Sequence, residues 1–290
     1  MPVSTVVFPD PGRLGAAAAD LVLKRLVEAG PGRPFLLGCP GGRSARSTYA
    51  ALGAKAARRG VDLSRLVVVM MDEYVMQLPG PTYRPVPHTL PHSCRRFAME
   101  EILAPINAAL ARAGQDRHAI TAGHVWVPDP GDPSAYERRL ERAGGIDVFL
   151  LASGAGDGHV AFNPPGSASS SRTRVVELPA STRRDNLVTF PSFGGDLSVV
   201  PRHGVTVGVD TIRRFSREVI MLVHGDDKRV AAQRLMQADG YESDWPATVL
   251  AECTSAWLFL DEAAVAQADG APEGSARSDG SGVDSPDRLS

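Results

Sequence analysis

Short runs of apolar residues recur along the chain, and stretches with helical spacing separate them. The runs at 66–71 (LVVVMM), 146–152 (IDVFLLA) and 218–223 (EVIMLV) scarcely alternate between polar and apolar positions. Such runs are typical of strands that are covered on both faces, as in a parallel sheet. Between them, apolar residues return at intervals of three and four, most clearly at 11–29, where Gly30 ends the pattern.

This alternation of strands and helices predicts an α/β fold with a doubly wound, mainly parallel, Rossmann-like sheet. We expect a single domain over residues 1–265. The remaining residues, 266–290, are rich in Gly, Ser, Asp and Pro and offer almost nothing to bury, so we expect a disordered tail. Ligands of such sheets bind beyond the carboxyl ends of the strands, which makes polar clusters there the first candidates for a site.

A glycine-rich loop, 38–44 (GCPGGRS), lies between a predicted strand and a predicted helix at 45–59. Glycines let backbone N–H groups approach an anion, and the helix N-terminus adds partial positive charge. The loop matches neither a Walker A motif nor GxGxxG, and a tight turn without a ligand would also explain its glycines. Its candidate phosphate-binding residues are Gly41, Gly42, Arg43 and Ser44.

Two adjacent acids, Asp72 and Glu73, follow the apolar run 66–71 directly. Unpaired buried carboxylates are costly, so acids at the end of a buried strand are unusual as core residues. We interpret Asp72 as a candidate catalytic base at the ligand-binding edge of the sheet. A helix N-cap is the structural alternative for Asp72.

A third cluster, 153–163 (SGAGDGHVAFN), follows the run 146–152. Asp157 and His159 are two positions apart, so in extended backbone their side chains face the same side. A carboxylate that binds one imidazole nitrogen fixes the tautomer and leaves the other nitrogen free for proton transfer. Asp157 and His159 are therefore catalytic candidates, and an exposed loop histidine without a role is the simpler alternative.

Composition and charge exclude several classes of protein. The 290 residues carry a net charge of -2, which offers no general attraction to nucleic acid or to an anionic membrane. No apolar run is long enough to span a bilayer, and the first residues do not resemble a secretion signal, so we expect a cytoplasmic protein. The three cysteines form no CxxC pair, and His88 and His92 lack further ligands nearby, so we predict no metal site.

Five segments together resemble the glucosamine-6-phosphate deaminase/isomerase family, which is related to the 6-phosphogluconolactonases. They are PGGRSARSTYAAL (40–52), VVVMMDEYV (67–75), GGIDVFLLASGAGDGHVAFNPPGSASSSRTR (144–174), VTVGVDTI (205–212) and GDDKRVAA (225–232). The resemblance extends over residues 34–262, which is nearly the whole predicted domain. MDEY, DGHxAFN and SRTR favour the deaminase side over the lactonases.

The resemblance implies an enzyme that acts on a hexosamine 6-phosphate without a metal or a cofactor. His159, assisted by Asp157, would open the sugar ring. Asp72 would move a proton between C2 and C1, and the amine would leave as ammonia. The partner would thus be a small-molecule sugar phosphate, with no nucleic acid and no membrane, and the chain is compatible with a homo-oligomer.

The resemblance also implies how the phosphate is held. It would lie against the 41–44 loop and Lys228. Arg174, at the end of SRTR, matches a residue with which allosteric members bind a phosphorylated amino sugar, so it is a further candidate for phosphate binding. The lysine that those members carry shortly afterwards is Val176 here.

Two positions depart from the family pattern. Pro164 stands where the family has a Glu that completes an Asp–His–Glu group, and Val188 stands where it has a phosphate-binding Arg. Arg43, Arg183 and Arg184 are the candidates to replace that charge. Without the Glu, the resemblance implies slow ring opening.

Three alternatives to a glucosamine-6-phosphate deaminase stay open at this point. The first is a lactonase-type hydrolase, in which His159 activates water. The second is a sugar-phosphate-binding regulator that has lost catalysis. The third is a diverged isomerase of another amino sugar.

Overall fold

Strands and helices alternate through residues 3–266, the part of the chain that the computed structural model describes. The strands are β1 Ser4–Phe8, β2 Phe35–Cys39, β3 Leu66–Met70, β4 Asp72–Gln77, β5 Tyr83–Pro85, β6 Val125–Trp126, β7 Val148–Leu151, β8 Arg174–Glu177, β9 His203–Thr206, β10 Val219–Val223 and β11 Ala256–Asp261. The helices are α1 Pro11–Glu28, α2 Arg46–Arg59, α3 Cys94–Phe97, α4 Ala104–Arg112, α5 Pro133–Arg142, α6 Ala180–Thr189, α7 Val209–Phe215, α8 Arg229–Gln237 and α9 Glu262–Val265.

Seven of the strands form one parallel sheet in the order β1-β11-β10-β7-β2-β3-β6. Helices cover both faces of this sheet, so the predicted doubly wound α/β fold is confirmed. Neighbouring residues of one strand belong to opposite layers. Leu37 packs with the layer that contains α1, α2 and α4, whereas Leu36 packs with the layer that contains α5, α7 and α8. This double burial explains the continuous apolar runs.

Local signals set the ends of the helices. The Asp10 side chain accepts a hydrogen bond from the Arg13 N–H at 2.8 Å, which caps α1, and Pro11 takes the first helical position. Gly60, with a φ of 64°, ends α2 in the left-handed conformation. These boundaries lie within two residues of the predicted ones.

The direction of the chain reverses between β2 and β7. From β2 the chain moves outward through β3 to β6, and from β7 it moves the other way through β10 to β11. Gly38 allows the close contact between these two strands, because a Cβ there would lie 2.0 Å from Cδ2 of Phe149. A reversal of this kind opens a crevice at the carboxyl ends of the two strands.

A second, antiparallel sheet has the order β5-β4-β9-β8 and lies directly beyond the parallel one. Its strand β4 begins at Asp72, with only Met71 between it and the end of β3, and Asp72 pairs with Thr206 of β9. The N-cap alternative for Asp72 is therefore wrong. The sequence analysis did not predict this sheet, because β5, β8 and β9 have only three or four residues and none of its strands is a continuous apolar run.

Three further predictions concern the chain as a whole. The predicted tail, 266–290, lies outside the described residues except for Ala266. Within the described part, no helix combines the length and the hydropathy that crossing a membrane requires. The cysteines Cys39, Cys94 and Cys253 are free and buried.

Candidate active site

A cavity opens at the carboxyl ends of β2, β3, β7 and β10, on both sides of the point where the chain reverses. It brings together Asp72, His159, the glycine-rich loop and Lys228, which the sequence places far apart. Its lining consists of Pro40, Gly41, Gly42, Arg43, Ser44, Met71, Asp72, Cys94, Ala152, Ser153, Ala155, His159, Ala161, Phe162, Asp185, Asn186, Val188, Thr189, Phe190, Asp227 and Lys228.

Asp72 lies at the junction of the two sheets and is 5% exposed. The thiol of Cys94 donates a hydrogen bond to its Oδ1 over 3.3 Å. Burial raises the pKa of Asp72 to about 7, although the Cys94 hydrogen bond and the charge of His159 act in the opposite direction. A carboxylate with such a pKa can accept and return a proton near neutral pH.

Glu73, next to Asp72, has a structural role. Its carboxylate accepts hydrogen bonds from the Ser93 hydroxyl at 2.9 Å and from the backbone N–H groups of Cys94 at 2.8 Å and Arg95 at 2.9 Å. Glu73 therefore holds the start of α3 against β4. This contact fixes Cys94 beside Asp72.

Asp157 and His159 form a hydrogen-bonded pair, with 2.6 Å between Asp157 Oδ1 and His159 Nδ1. The Thr182 hydroxyl donates to the other carboxylate oxygen at 2.7 Å. Burial opposes ionisation of Asp157, but the hydrogen bonds from His159 and Thr182 and the charge of His159 outweigh it and hold the pKa of Asp157 below its usual range. With Nδ1 engaged, Nε2 is the nitrogen left for proton transfer.

The predicted proximity of Asp157 and His159 is correct, but the backbone between them is not extended. Gly158 has a φ of 64°, and a Cβ there would lie 2.3 Å from the Trp245 ring. The chain therefore turns at Gly158, against Trp245, and the turn brings the carboxylate back to the imidazole.

The glycine-rich loop leads from β2 into a short helical turn at Arg43–Ala45 and then into α2. Gly42 has a φ of 113°, which favours glycine. Arg43 forms an ion pair with Asp227, which lies across the cavity after β10. The predicted loop residues 41–44 thus line the cavity together, and a carboxylate is already paired with the arginine.

Lys228 is buried at the base of the cavity. Its Nζ donates to the carbonyl oxygen of Ser153 at 2.6 Å. Burial lowers the pKa of Lys228, and the nearby charge of Asp185 opposes that shift. The lysine therefore presents a charge with little solvent around it, which strengthens its attraction for an anion.

Arg174 does not line the cavity. Its guanidinium donates to Asn163 Oδ1 at 2.9 Å and to Ser167 Oγ at 3.3 Å. Tyr241 donates to the Ser167 carbonyl oxygen at 2.6 Å and completes this group. The structure thus separates Arg174 from the other predicted phosphate-binding residues.

The two departures from the family pattern have different surroundings. Val188 lines the cavity but is 65% exposed, and Pro164 does not line it. Arg183 donates to the Leu197 carbonyl oxygen at 3.1 Å, outside the lining, and Arg184 is exposed. Of the three arginines considered as substitutes for a charge at Val188, Arg43 is the one in the cavity lining.

Cys94 and Asp185 line the cavity close to the predicted catalytic groups, and the sequence analysis singled out neither of them. Cys94 contacts Asp72, and Asp185, on α6, lies 3.9 Å from His159 Nδ1. No short motif marks either residue, because each reaches the site from a separate element. Among the described residues, Asp157, His159 and Asp185 are also the one group whose donor atoms lie close enough together for a metal ion, within 4.8 Å. The Nδ1 atom of His159, which would be one of the metal ligands, is already hydrogen-bonded to Asp157.

Comparison with known proteins shows that this chain is similar to the members of one family. The family model described as glucosamine-6-phosphate isomerases/6-phosphogluconolactonase matches residues 9–259. The glucosamine-6-phosphate deaminase of Mycolicibacterium smegmatis is 34% identical over 90% of this chain and 91% of its own. That of Porphyromonas gingivalis strain W83 is 34% identical over 89% of this chain and 91% of its own.

Solved structures support the same fold. A monomeric glucosamine-6-phosphate deaminase superposes with a TM-score of 0.74 at 23% identity and covers 90% of this chain and 98% of its own. The 6-phosphogluconolactonase of Trypanosoma brucei superposes with a TM-score of 0.59 at 24% identity and covers 90% of this chain and 97% of its own. The chain belongs to the glucosamine-6-phosphate isomerase/6-phosphogluconolactonase family.

Proposed function

We propose that this protein is an amino-sugar-phosphate deaminase/isomerase that converts glucosamine 6-phosphate into the ketose phosphate and ammonia. The deaminase relatives, at 34% identity over nine-tenths of the chain, favour this reaction. The observation that carries the proposal is a cavity with two separate proton-transfer groups. Asp72, with a pKa of about 7, and the His159 imidazole both line it.

Substrate binding depends on the phosphate. It lies against the backbone of residues 41–44, between Arg43 and Lys228, where a helix N-terminus and two cations attract an anion. Asp227 is already paired with Arg43 and therefore competes with the phosphate for the guanidinium. The sugar then extends toward Asp72 and His159.

Ring opening is the task of His159. With Nδ1–H donated to Asp157, Nε2 takes the proton of the anomeric hydroxyl. The C1–O5 bond breaks as the C1 carbonyl forms, and Nε2 returns the proton to O5. Asp157 stays ionised throughout and stabilises the imidazolium.

Isomerisation and deamination follow at Asp72. Starting from the ammonium form of the sugar, the Asp72 carboxylate takes the proton from C2 and returns it to C1, and one ammonium proton moves to O1, which converts the aldose ammonium into a ketose iminium. Water adds to C2, and ammonia leaves. A carboxyl group with a pKa of about 7 suits both directions of this transfer.

We also propose a cytoplasmic location, which three free, buried cysteines support.

The test is a substrate panel in which each reaction has its own readout. Glucosamine 6-phosphate, glucosamine, glucose 6-phosphate and 6-phosphogluconolactone are each incubated with the protein. Ammonia release, aldose–ketose conversion and lactone hydrolysis are measured separately. We expect ammonia and a ketose phosphate from glucosamine 6-phosphate. Lactone hydrolysis without ammonia release would show a lactonase instead, and binding without turnover would show a regulator.

A further inference from the structure

Asp185 belongs to α6, the helix that covers one side of the cavity, and its carboxylate faces the loop that follows β7. Its Oδ2 accepts a hydrogen bond from the backbone N–H of Ala155 at 2.8 Å. The same oxygen lies 3.9 Å from Nδ1 of His159. The Asp185 side chain is 25% exposed, so its charge is only partly screened by solvent.

His159 consequently has carboxylates from two different elements on the same side of its ring. Asp157 is in the loop after β7 and binds Nδ1 directly, whereas Asp185 comes from α6. The two helix residues Thr182 and Asp185, three positions apart, lie on one face of α6. Thr182 binds Asp157, and Asp185 binds the Ala155 backbone, so α6 contacts the loop at two points.

The charge of Asp185 also acts on the other end of the cavity. Asp185 has the largest effect on the pKa of Lys228 among the neighbouring charged groups. The others are Arg43, Asp227 and Asp157. The charge of Asp185 therefore acts both on the imidazole and on a lysine of the predicted phosphate site. Removing its negative charge should leave the phosphate site more positive, while the imidazole loses a stabilising neighbour.

We propose that Asp185 is a positioning residue of the His159 proton relay, in which it stabilises the imidazolium and holds the Ala155 loop behind the ring. This inference rests on the proposed function, because the imidazolium that Asp185 would stabilise is the one formed when His159 takes the anomeric proton during ring opening. When the anomeric hydroxyl proton moves to Nε2, Asp185 provides a second negative charge close to Nδ1. The proton then leaves Nε2 for O5, and neither carboxylate changes its protonation.

The test uses Asp185→Asn in the full chain. The amide oxygen still accepts the Ala155 N–H, so the loop contact is kept and only the charge is removed. Asp196→Asn is the matched control, since Asp196 accepts the Ser198 N–H at 2.7 Å and is not part of the cavity lining. Asp185→Glu serves as the conservative variant. The measured quantities are kcat, KM and the C2-deuterium isotope effect with glucosamine 6-phosphate.

We expect Asp185→Asn to lower kcat roughly 10- to 100-fold, as the loss of a partly screened charge near a transient cation predicts. The KM of Asp185→Asn for glucosamine 6-phosphate should equal the wild-type value or lie below it, because the variant removes a negative charge near Lys228. The C2-deuterium isotope effect should not rise above the wild-type value, because the slowed step is ring opening and not transfer from C2. Asp185→Glu should recover part of the rate, and Asp196→Asn should match the wild type.

Several results would overturn the role of Asp185 while the proposed function stands. They are a wild-type kcat in Asp185→Asn, a raised KM as the main effect, or an increased isotope effect. If chelation removes wild-type activity, Zn²⁺ or Mn²⁺ restores it, and Asp185→Asn needs more of the metal for recovery than the wild type, Asp185 would be a metal ligand instead. Failure of the wild type to release ammonia would refute the proposed function itself.

Discussion

At the residue scale, the distinctive group of the cavity is the buried Asp72 and its thiol partner. Burial brings the pKa of this carboxyl group to about 7, and the Cys94 hydrogen bond limits the rise. Asp157, by contrast, keeps a lowered pKa because His159 and Thr182 bind its ionised form. The opposite pKa shifts of these two carboxyl groups suit two different tasks: Asp72 can exchange a proton, and Asp157 stays charged.

Asp72→Asn tests the first of these tasks. We expect kcat to fall by a factor on the order of 10³ or more, because the amide cannot take the C2 proton. Fold and substrate binding should persist, since the amide has nearly the same shape. Turnover and the entry of solvent deuterium into the product at C1 or C2 are measured together. Wild-type turnover by this variant would show that another group carries the proton.

Cys94→Ala tests how the pKa of Asp72 is set. The base must be deprotonated, so kcat/KM should fall as the pH drops through about 7. The thiol hydrogen bond lowers the pKa of Asp72, so its removal should raise that pKa and shift the acid limb of the profile to higher pH.

Two variants control for the loss of a buried thiol. Cys94→Ser keeps a donor at the position and should leave the acid limb near the wild-type pH. Cys253→Ala removes a thiol that bonds to the Val249 carbonyl oxygen, outside the cavity lining, and should not move the limb. An unmoved limb in Cys94→Ala would mean that the thiol does not tune Asp72.

At the scale of elements, the phosphate site depends on two loops that meet across the cavity. The loop after β2 provides Arg43, and the turn after β10 provides Asp227 and Lys228. The arginine is paired with the aspartate before any ligand arrives. A phosphate that binds Arg43 and Lys228 therefore competes with Asp227 for the guanidinium.

This competition predicts opposite effects for neighbouring variants. Lys228→Ala should raise KM for phosphorylated substrates roughly 10- to 150-fold, since a charge-assisted contact contributes about 1.5–3 kcal/mol. Arg43→Ala should have an effect at the lower end of that range, because its side chain is 36% exposed and already paired. Asp227→Asn should lower KM, since it frees Arg43.

Steady-state kinetics on the sugar phosphate and on the unphosphorylated sugar measure these effects. Arg58→Ala is the control, because Arg58 is exposed at the far end of α2 and does not line the cavity. Equal affinity for phosphorylated and unphosphorylated sugar would refute the phosphate site. A raised KM in Asp227→Asn would refute the competition.

The helix α6 changes how Pro164 is understood. The family resemblance implies that the missing Glu leaves ring opening slow. In the structure, Pro164 does not line the cavity, whereas α6 brings Asp185 to the imidazole. A carboxylate near His159 is therefore present, although it comes from a different element.

At the scale of the whole molecule, the crevice exists because β2 and β7 lie side by side where the chain reverses. Gly38→Ala should destabilise the fold by about 1–3 kcal/mol or more, because a Cβ there would lie 2.0 Å from the Phe149 ring. Gly32→Ala is the control, since a Cβ at that position meets nothing within 4 Å. Denaturant unfolding measures both, and equal stability of the two variants would contradict the tight contact.

The sequence by itself determined the parts of this protein that depend on neighbouring positions. Doubly buried strands produce continuous apolar runs, so the parallel sheet was predictable from β3, β7 and β10. The sequence predicted that Asp157 and His159 lie together, but the left-handed turn at Gly158 makes their contact, and not the extended backbone on which the prediction rested. The position of Asp72 followed from the rule that strand ends carry the ligand site.

The tertiary structure alone decided which distant residues complete the cavity. Cys94 lies 22 positions from Asp72, and Asp185 lies 30 positions from Ala155, in segments without a recognisable motif. Only the packing of α3 and α6 against the strand ends brings these side chains within bonding distance. Glu73 looked equivalent to Asp72 in the sequence, and only its hydrogen bonds to the start of α3 reveal a structural carboxylate. Patterns within one element are local, whereas a site at a sheet edge is assembled from many elements.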